Sequence, residues 1–220
     1  MDEYLLAFPA QRGPLAGFLR WARQQRHIPR LDLARPTRPI TVVPVDQDTR
    51  WDLARSLLHR DEHPLGHRIA ALLVLLFAQT STRIAALTTD DLTLTDQHVM
   101  LRLGATPIQL PEPLAGHLRE FTATRTSPGR LATQPGPWLF PGRHPGRPAD
   151  SHTLRRRVHA CGVHDVHTHR ASALIDLAGQ IPAPVLADLL GIATATAVHW
   201  SQLAGRPWGQ YLGLPPTPTR

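Results

Sequence analysis

Apolar residues recur along this chain at helical spacing, then in strict alternation, then at helical spacing again. Residues 12–27 place Leu15, Phe18, Leu19 and Ala22 on one helical face, with arginines and glutamines mostly elsewhere. That is too little for a domain, so residues 1–30 read as the last helix of an N-terminal module, or as an arm that packs on a neighbour. Prolines at 29, 36, 39 and 44 then prevent a helix and make residues 31–45 an extended linker. The main domain is expected over residues 46–205. "DQDTRWDLARSLLHR" begins with an acidic cap and reads as a helix with Trp51, Leu53, Leu57 and Leu58 available to the core, and "HRIAALLVLLFAQ" reads as the central buried helix. A short helix begins near Thr82. The period then changes: Val99, Leu101 and Leu103 alternate with Met100 and Arg102, and Gly104 offers a turn before "TPIQL", which predicts a small antiparallel meander.

Pro111 and Pro113 introduce a helix through about Phe121. "TATRTSPGRLATQPGP" follows as a loop, and "WLFPGRHPGRPADS" as a surface segment leading to a cap at Ser151. Helices are expected over residues 152–161, 167–179, 183–190 and 194–204, ahead of a flexible tail over residues 206–220. The fold class is therefore mainly α with a small antiparallel β-meander.

Composition narrows the function classes. The longest apolar run, "IAALLVLLFA", is too short to span a membrane, and the start "MDEYLLAFPA" lacks the features of a secretory signal. Cys161 is the only cysteine, so no internal disulfide forms and a cytoplasmic location is expected. All 24 basic side chains are arginine and none is lysine, which closes any mechanism that requires a lysine. A net charge of +7 and a pI near 11.2 point to a polyanionic partner, nucleic acid foremost.

The order of these elements, with "AQTSTRIAALTTDDL", "HTHR" and "LADLLGI" at their spacings, resembles the catalytic domain of the tyrosine recombinases, the phage integrase family, over roughly residues 40–205. The resemblance implies two arginines and a histidine or tryptophan around a DNA phosphate, a lysine on the β-hairpin and a tyrosine nucleophile. His167 and Arg170 match the family's His-x-x-Arg and lie three apart, hence on one helical face. Arg83 matches its first arginine, but Asp91 follows after eight positions where the family leaves about eleven, so Arg83 either faces the phosphate or forms a surface or structural ion pair. Arg102 is the only cation on the hairpin, and arginine is a poor proton donor but a good phosphate anchor. Ile192 stands where the resemblance implies a histidine, and Ser201 where it implies the tyrosine. Tyr211 is the only tyrosine beyond the last helices and substitutes only if the tail folds back or swaps into a neighbour. The resemblance thus implies a double-stranded DNA partner, a bacterial nucleoid setting and a cleavage site that has degenerated. A partner recombinase, or a second copy engaged through the N-terminal helix or the tail, stays open.

"ADLLGIATATAVHWSQLAG" also reads as a helix-turn-helix, with small Ala187 at the crossing and Gly191 at the turn. Its second helix offers base edges only His199, Gln202 and threonines. Phosphate contacts are expected instead from Arg143, Arg147, Arg155, Arg156 and Arg157. Cys161, His164, His167 and His169 have ligand-like spacings, but no second cluster closes a zinc site, so no metal or other cofactor is expected.

Overall fold

The computed structural model describes residues 25, 44–126, 136–144 and 146–205. Contacts divide the chain into Met1–Ile40 and Thr41–Arg220, and everything below concerns the second unit. The expected N-terminal helix, most of the linker, Tyr211 and the tail lie outside the described residues.

Helix α1 spans Gln47–His59 and starts where Asp46 accepts the Thr49 amide at 3.1 Å. Its buried stripe is Arg50, Ala54 and Leu57, so Trp51, expected in the core, lies 42% exposed one position off that face. The indole instead covers Arg50, whose guanidinium carbon sits 4.8 Å above the ring. Helix α2, Leu65–Phe77, is buried from Arg68 through Leu75 and packs against α1 and four later helices, which makes it the central helix its apolar run predicts. It stops at Ala78, in the left-handed conformation at φ 52°. Helix α3, Ser81–Ala85, is capped by the Thr80 hydroxyl, and a 3₁₀ turn at Thr89–Asp91 is closed by a Thr88–Asp91 capping box.

Strands β1 (Leu92–Leu94), β2 (Val99–Leu101) and β3 (Ile108–Gln109) form one antiparallel sheet in that order, with Leu92 opposite Leu101 and Met100 opposite Gln109. Val99, Leu101 and Leu103 are buried, as alternation requires. Helix α4 runs over Glu112–Thr126, beyond the expected end near Phe121. The threonine-rich stretch read as loop continues the helix, with the Thr122 hydroxyl donating to Leu118 O at 2.8 Å and that of Thr124 to Phe121 O at 2.8 Å. Helices α5 (Ser151–Ala160), α6 (Val166–Gln180), α7 (Ala183–Leu190) and α8 (Thr194–Ala204) complete the unit. The cap of α5 is Asp150, which accepts the His152 and Thr153 amides, so Ser151 is the first helical residue rather than the cap. The unit is mainly α with a small antiparallel sheet, and no described helix is long and apolar enough to cross a membrane.

Arginines close the helix ends. The last carbonyls of a helix have no partner within it, and a guanidinium offers several N–H groups in a planar fork without losing its charge. Arg68, 3% exposed, donates to Leu57 O and Leu58 O at the end of α1 and also meets Asp61. Arg50, 2% exposed, donates to Leu75 O of α2 at 2.6 Å and pairs with Asp176 of α6 at 2.5 Å. Arg170 reaches Ala78 O at 2.7 Å, and Arg83 donates to Gly191 O just past α7. These side chains hold the core's helices together.

Candidate nucleic-acid interface

The element that most constrains the site is a close approach of backbone to backbone. Gly104, after β2, and Gly191, between α7 and α8, meet so tightly that a Cβ on Gly104 would lie 1.9 Å from Asp188 O and one on Gly191 would lie 3.0 Å from the Gly104 Cα. Ala105 N donates to Asp188 O at 2.8 Å, and Gly191 takes the left-handed conformation at φ 62°. Into this junction reaches Arg83 from α3, with Nη1 on Gly191 O and Nη2 on Leu103 O. Its fork thus ties the hairpin to the α7–α8 turn. Arg83 forms no ion pair among the described residues, and the partners of its guanidinium are these two backbone carbonyls.

Arg170 stands nearby. Its Nε is held by Ala78 O, and burial, reinforced by the positive charge of Arg83, pushes the guanidinium below its ordinary value. Two neighbouring cations, with no carboxylate paired to either among the described residues, make this a place that favours an anion. His167 does not join them. It lies exposed in the first turn of α6, and with Arg155, Arg156, His159, His164 and Asp165 it lines a separate depression of about 550 Å³. Arg102 is half exposed and tied to Asp91 and to Asp90 O.

Ile192 packs partly buried against the core, so an apolar contact fills that position. Ser201 is on α8, and its Oγ is shut off from solvent with no hydrogen-bond partner among the described residues. A hydroxyl so placed reaches no phosphate without the helix moving. On the same helix Ala197 and Trp200 face inward, His199 lies edge-on to Trp200 with centroids 5.9 Å apart, and Gln202 is exposed. Among the described residues no three His, Cys, Asp or Glu side chains gather as metal ligands. Cys161 is buried, which pushes its thiol up to about 11 against the opposing pull of Arg68, and His169 turns into the core, away from His167.

The free cations lie elsewhere. A groove of about 930 Å³ runs between α3, the segment from Trp138 to Asp150, and α5, and Arg143, Arg147, Arg156 and Arg157 line it. None of these, nor Arg155, forms an ion pair among the described residues, and the one carboxylate in the groove, Asp150, is engaged in capping α5. Ala86 belongs both to this groove and to a smaller depression containing Arg83 and Arg102, while Arg156 belongs both to it and to the His167 depression. The three therefore form one connected basic band. Sequence reading missed Trp138, whose Nε1 donates to Gly146 O at 3.0 Å and so holds the groove's proline-rich wall in place. It also missed His159, which faces His164 across the third depression. The closely spaced glycines and prolines around Trp138 were the available signal for a fixed loop.

No family model matches this sequence, and no curated protein matches it. Solved structures do. XerH site-specific recombinase, solved on its palindromic difH substrate after cleavage, superposes with a TM-score of 0.57 at 14% identity over 79% of this chain. XerA recombinase gives 0.54 at 16% identity over 96% of this chain and 79% of its own, and the Tn1549 transposon integrase, in complex with transposon right end DNA, gives 0.50 at 14% over 82% and 69%. This chain spans 53% of the XerH chain. At these identities the likeness is one of fold.

Proposed function

We propose that this chain, whose fold is that of the tyrosine recombinases and integrases, binds duplex DNA along the basic band and serves site-specific recombination or integration without cutting DNA itself. One contrast carries the reading: Arg143, Arg147, Arg155, Arg156 and Arg157 stand unpaired around connected depressions, while Arg83 is bound to carbonyls and the Ser201 hydroxyl is enclosed. Unpaired surface arginines neutralise phosphates and release counterions, which gives affinity without chemistry. Cleavage needs an exposed nucleophile, and the site has no lysine to protonate a leaving oxygen. A partner recombinase supplies the cutting in this reading. Arg170 is the inner cation best placed to meet a phosphate, since only its Nε is engaged by the fold.

The test uses a nicked duplex that traps covalent protein, together with a salt titration of binding. Salt-sensitive binding without an adduct is expected. A covalent adduct, through Tyr211 or any other residue, refutes the non-cutting half of the proposal, and absence of DNA binding refutes all of it. A second reading, a helix-turn-helix regulator, draws on the left-handed Gly191 between α7 and α8. It requires that Gln202→Ala alter sequence preference.

A further inference from the structure

The depression around His167 is built differently from the groove beside it. The chain reverses after α5 at Gly162, whose φ of 88° lies where L side chains rarely go. Gly162 N donates to His159 O at 3.0 Å, and His164 N donates to Gly162 O at 3.1 Å. The reversal returns His164 to the side of His159. Their facing nitrogens, His164 Nδ1 and His159 Nε2, are 3.3 Å apart, and the rings meet edge to face with centroids 4.7 Å apart. At that separation one ring N–H points at the other ring's lone pair, whereas two charged rings would set N–H against N–H. Arg155 and Arg156 line the same depression and carry no ion pair among the described residues.

We propose that this depression is a phosphate subsite of the DNA interface whose occupancy is linked to proton uptake by the His159–His164 pair. The inference rests on the DNA-binding reading above. A backbone phosphate seated against Arg155 and Arg156 attracts positive charge on the imidazole pair, and charge on the pair attracts the phosphate, so each binding event favours the other.

The surrounding groups leave this coupling intact. Asp165 is the only carboxylate lining the depression, and it accepts from Thr168 Oγ1 at 2.6 Å, Thr168 N at 3.3 Å and His167 N at 2.9 Å. The Thr168 hydroxyl foremost holds its carboxyl below the usual range, so its charge is constant near neutrality. On the other side of His164, Arg60, Glu62 and His63 face it across a depression of about 290 Å³, and Arg60 pairs with Glu62 at 3.6 Å. His167 adds a third imidazole on the α6 side, while His169 on the same helix is buried, which lowers its proton affinity.

The experiment follows anisotropy of a labelled duplex with the full chain at fixed ionic strength, from about pH 8 to pH 6, where histidines titrate. Affinity of the wild-type chain is expected to rise as pH falls, approaching tenfold per unit at its steepest, the limit for about one proton taken up per complex. Calorimetry in two buffers of different ionisation enthalpy counts that proton directly. The His159→Gln/His164→Gln variant is expected to lose most of the rise, and His164→Gln alone does the same where the double variant melts early. An unchanged rise in these variants, or no proton uptake by wild type, overturns the subsite while leaving DNA binding standing. Failure of wild type to bind duplex at any pH overturns the DNA-binding reading and the subsite with it.

Discussion

Replacing Arg83 by methionine separates a structural arginine from a phosphate-binding one. The substitution keeps an apolar stem of similar length and removes the fork that joins Leu103 O to Gly191 O. A hydrogen bond from a charged donor contributes about 1.5–3 kcal/mol, and leaving its acceptor unpaired in a buried place costs a comparable amount. Gly191 is exposed and its carbonyl regains water, whereas Leu103 is buried at 4% exposure and its carbonyl is less easily rehydrated. Discounting the first contact, the loss comes to roughly 2–3 kcal/mol, which for a unit of this size lowers the melting temperature by about 5–10 °C. The DNA-binding salt slope is the second readout. A residue that contacts a phosphate contributes about 0.9 to the slope of log K against log salt, so a structural Arg83 leaves that slope unchanged when removed. Thermal melting followed by circular dichroism, beside anisotropy titrations at several salt concentrations, measures both. An unaltered melting temperature with a slope reduced by about 0.9 would falsify the assignment.

Arg156→Ala inverts that pattern: the side chain is exposed, makes no ion pair among the described residues and lines two depressions of the band, so the salt slope drops by about 0.9 while stability stays within about 0.5 kcal/mol. A melting shift with intact DNA binding would count against the groove. Gly104→Ala places a Cβ 1.9 Å from Asp188 O and 2.5 Å from Gly191 N, both backbone atoms, so the hairpin and α7 must separate and stability falls by more than about 3 kcal/mol in denaturant titration; a loss under about 1 kcal/mol refutes the close approach. His169 is buried, its Nδ1 has no partner among the described residues, and burial, with His164 and Arg50 reinforcing and Asp165 opposing, lowers its proton affinity. The unfolded chain then binds that proton more readily than the folded one, so stability is full above the ordinary histidine value and declines as pH falls below about 6.5. His169→Met is expected to flatten that decline, and an equally steep loss in the variant argues that other groups cause it.

The helices were legible because their apolar spacing is unambiguous and their ends carry aspartate or proline signals, as at Asp46, Asp165 and Pro182. The sheet followed from the alternation at Val99, Leu101 and Leu103. What sequence spacing did not disclose is where a long cationic side chain goes. Arg50 and Trp51 are adjacent and both amphipathic, and a hydropathy reading sends the tryptophan inward; the carbonyl of Leu75 and the carboxylate of Asp176 draw the arginine in instead. His167 and Arg170 share a helical face by spacing, yet the first turn of α6 faces the α5 side while Arg170 extends to the end of α2. Sequence separation fixes the direction of a Cβ, and a side chain of several rotatable bonds then goes to whichever acceptor lacks a partner.

On the proposed reading, the engagement of Arg83 by carbonyls and the apolar side chain at Ile192 belong to one backbone junction. Asp91 follows Arg83 by eight positions, and Asp91 O accepts the Arg102 amide at 2.8 Å, so this connection sets where the end of β2 lies. The segment Leu103–Ala105 then meets the α7–α8 turn through Gly104 and Gly191, an approach that any side chain at either position would block. Once hairpin and turn are in contact, Leu103 O and Gly191 O lie within reach of a single guanidinium, and Arg83 binds them in place of an external anion. Ile192, next in the chain, packs against the core at the same junction, where an apolar side chain is favoured over an imidazole. A phosphate entering between Arg83 and the hairpin would have to displace two backbone carbonyls, whereas Arg143, Arg147 and Arg156 present their charges to solvent with nothing to displace. On that reading DNA engages the outer band first, while the inner Arg83 serves the fold.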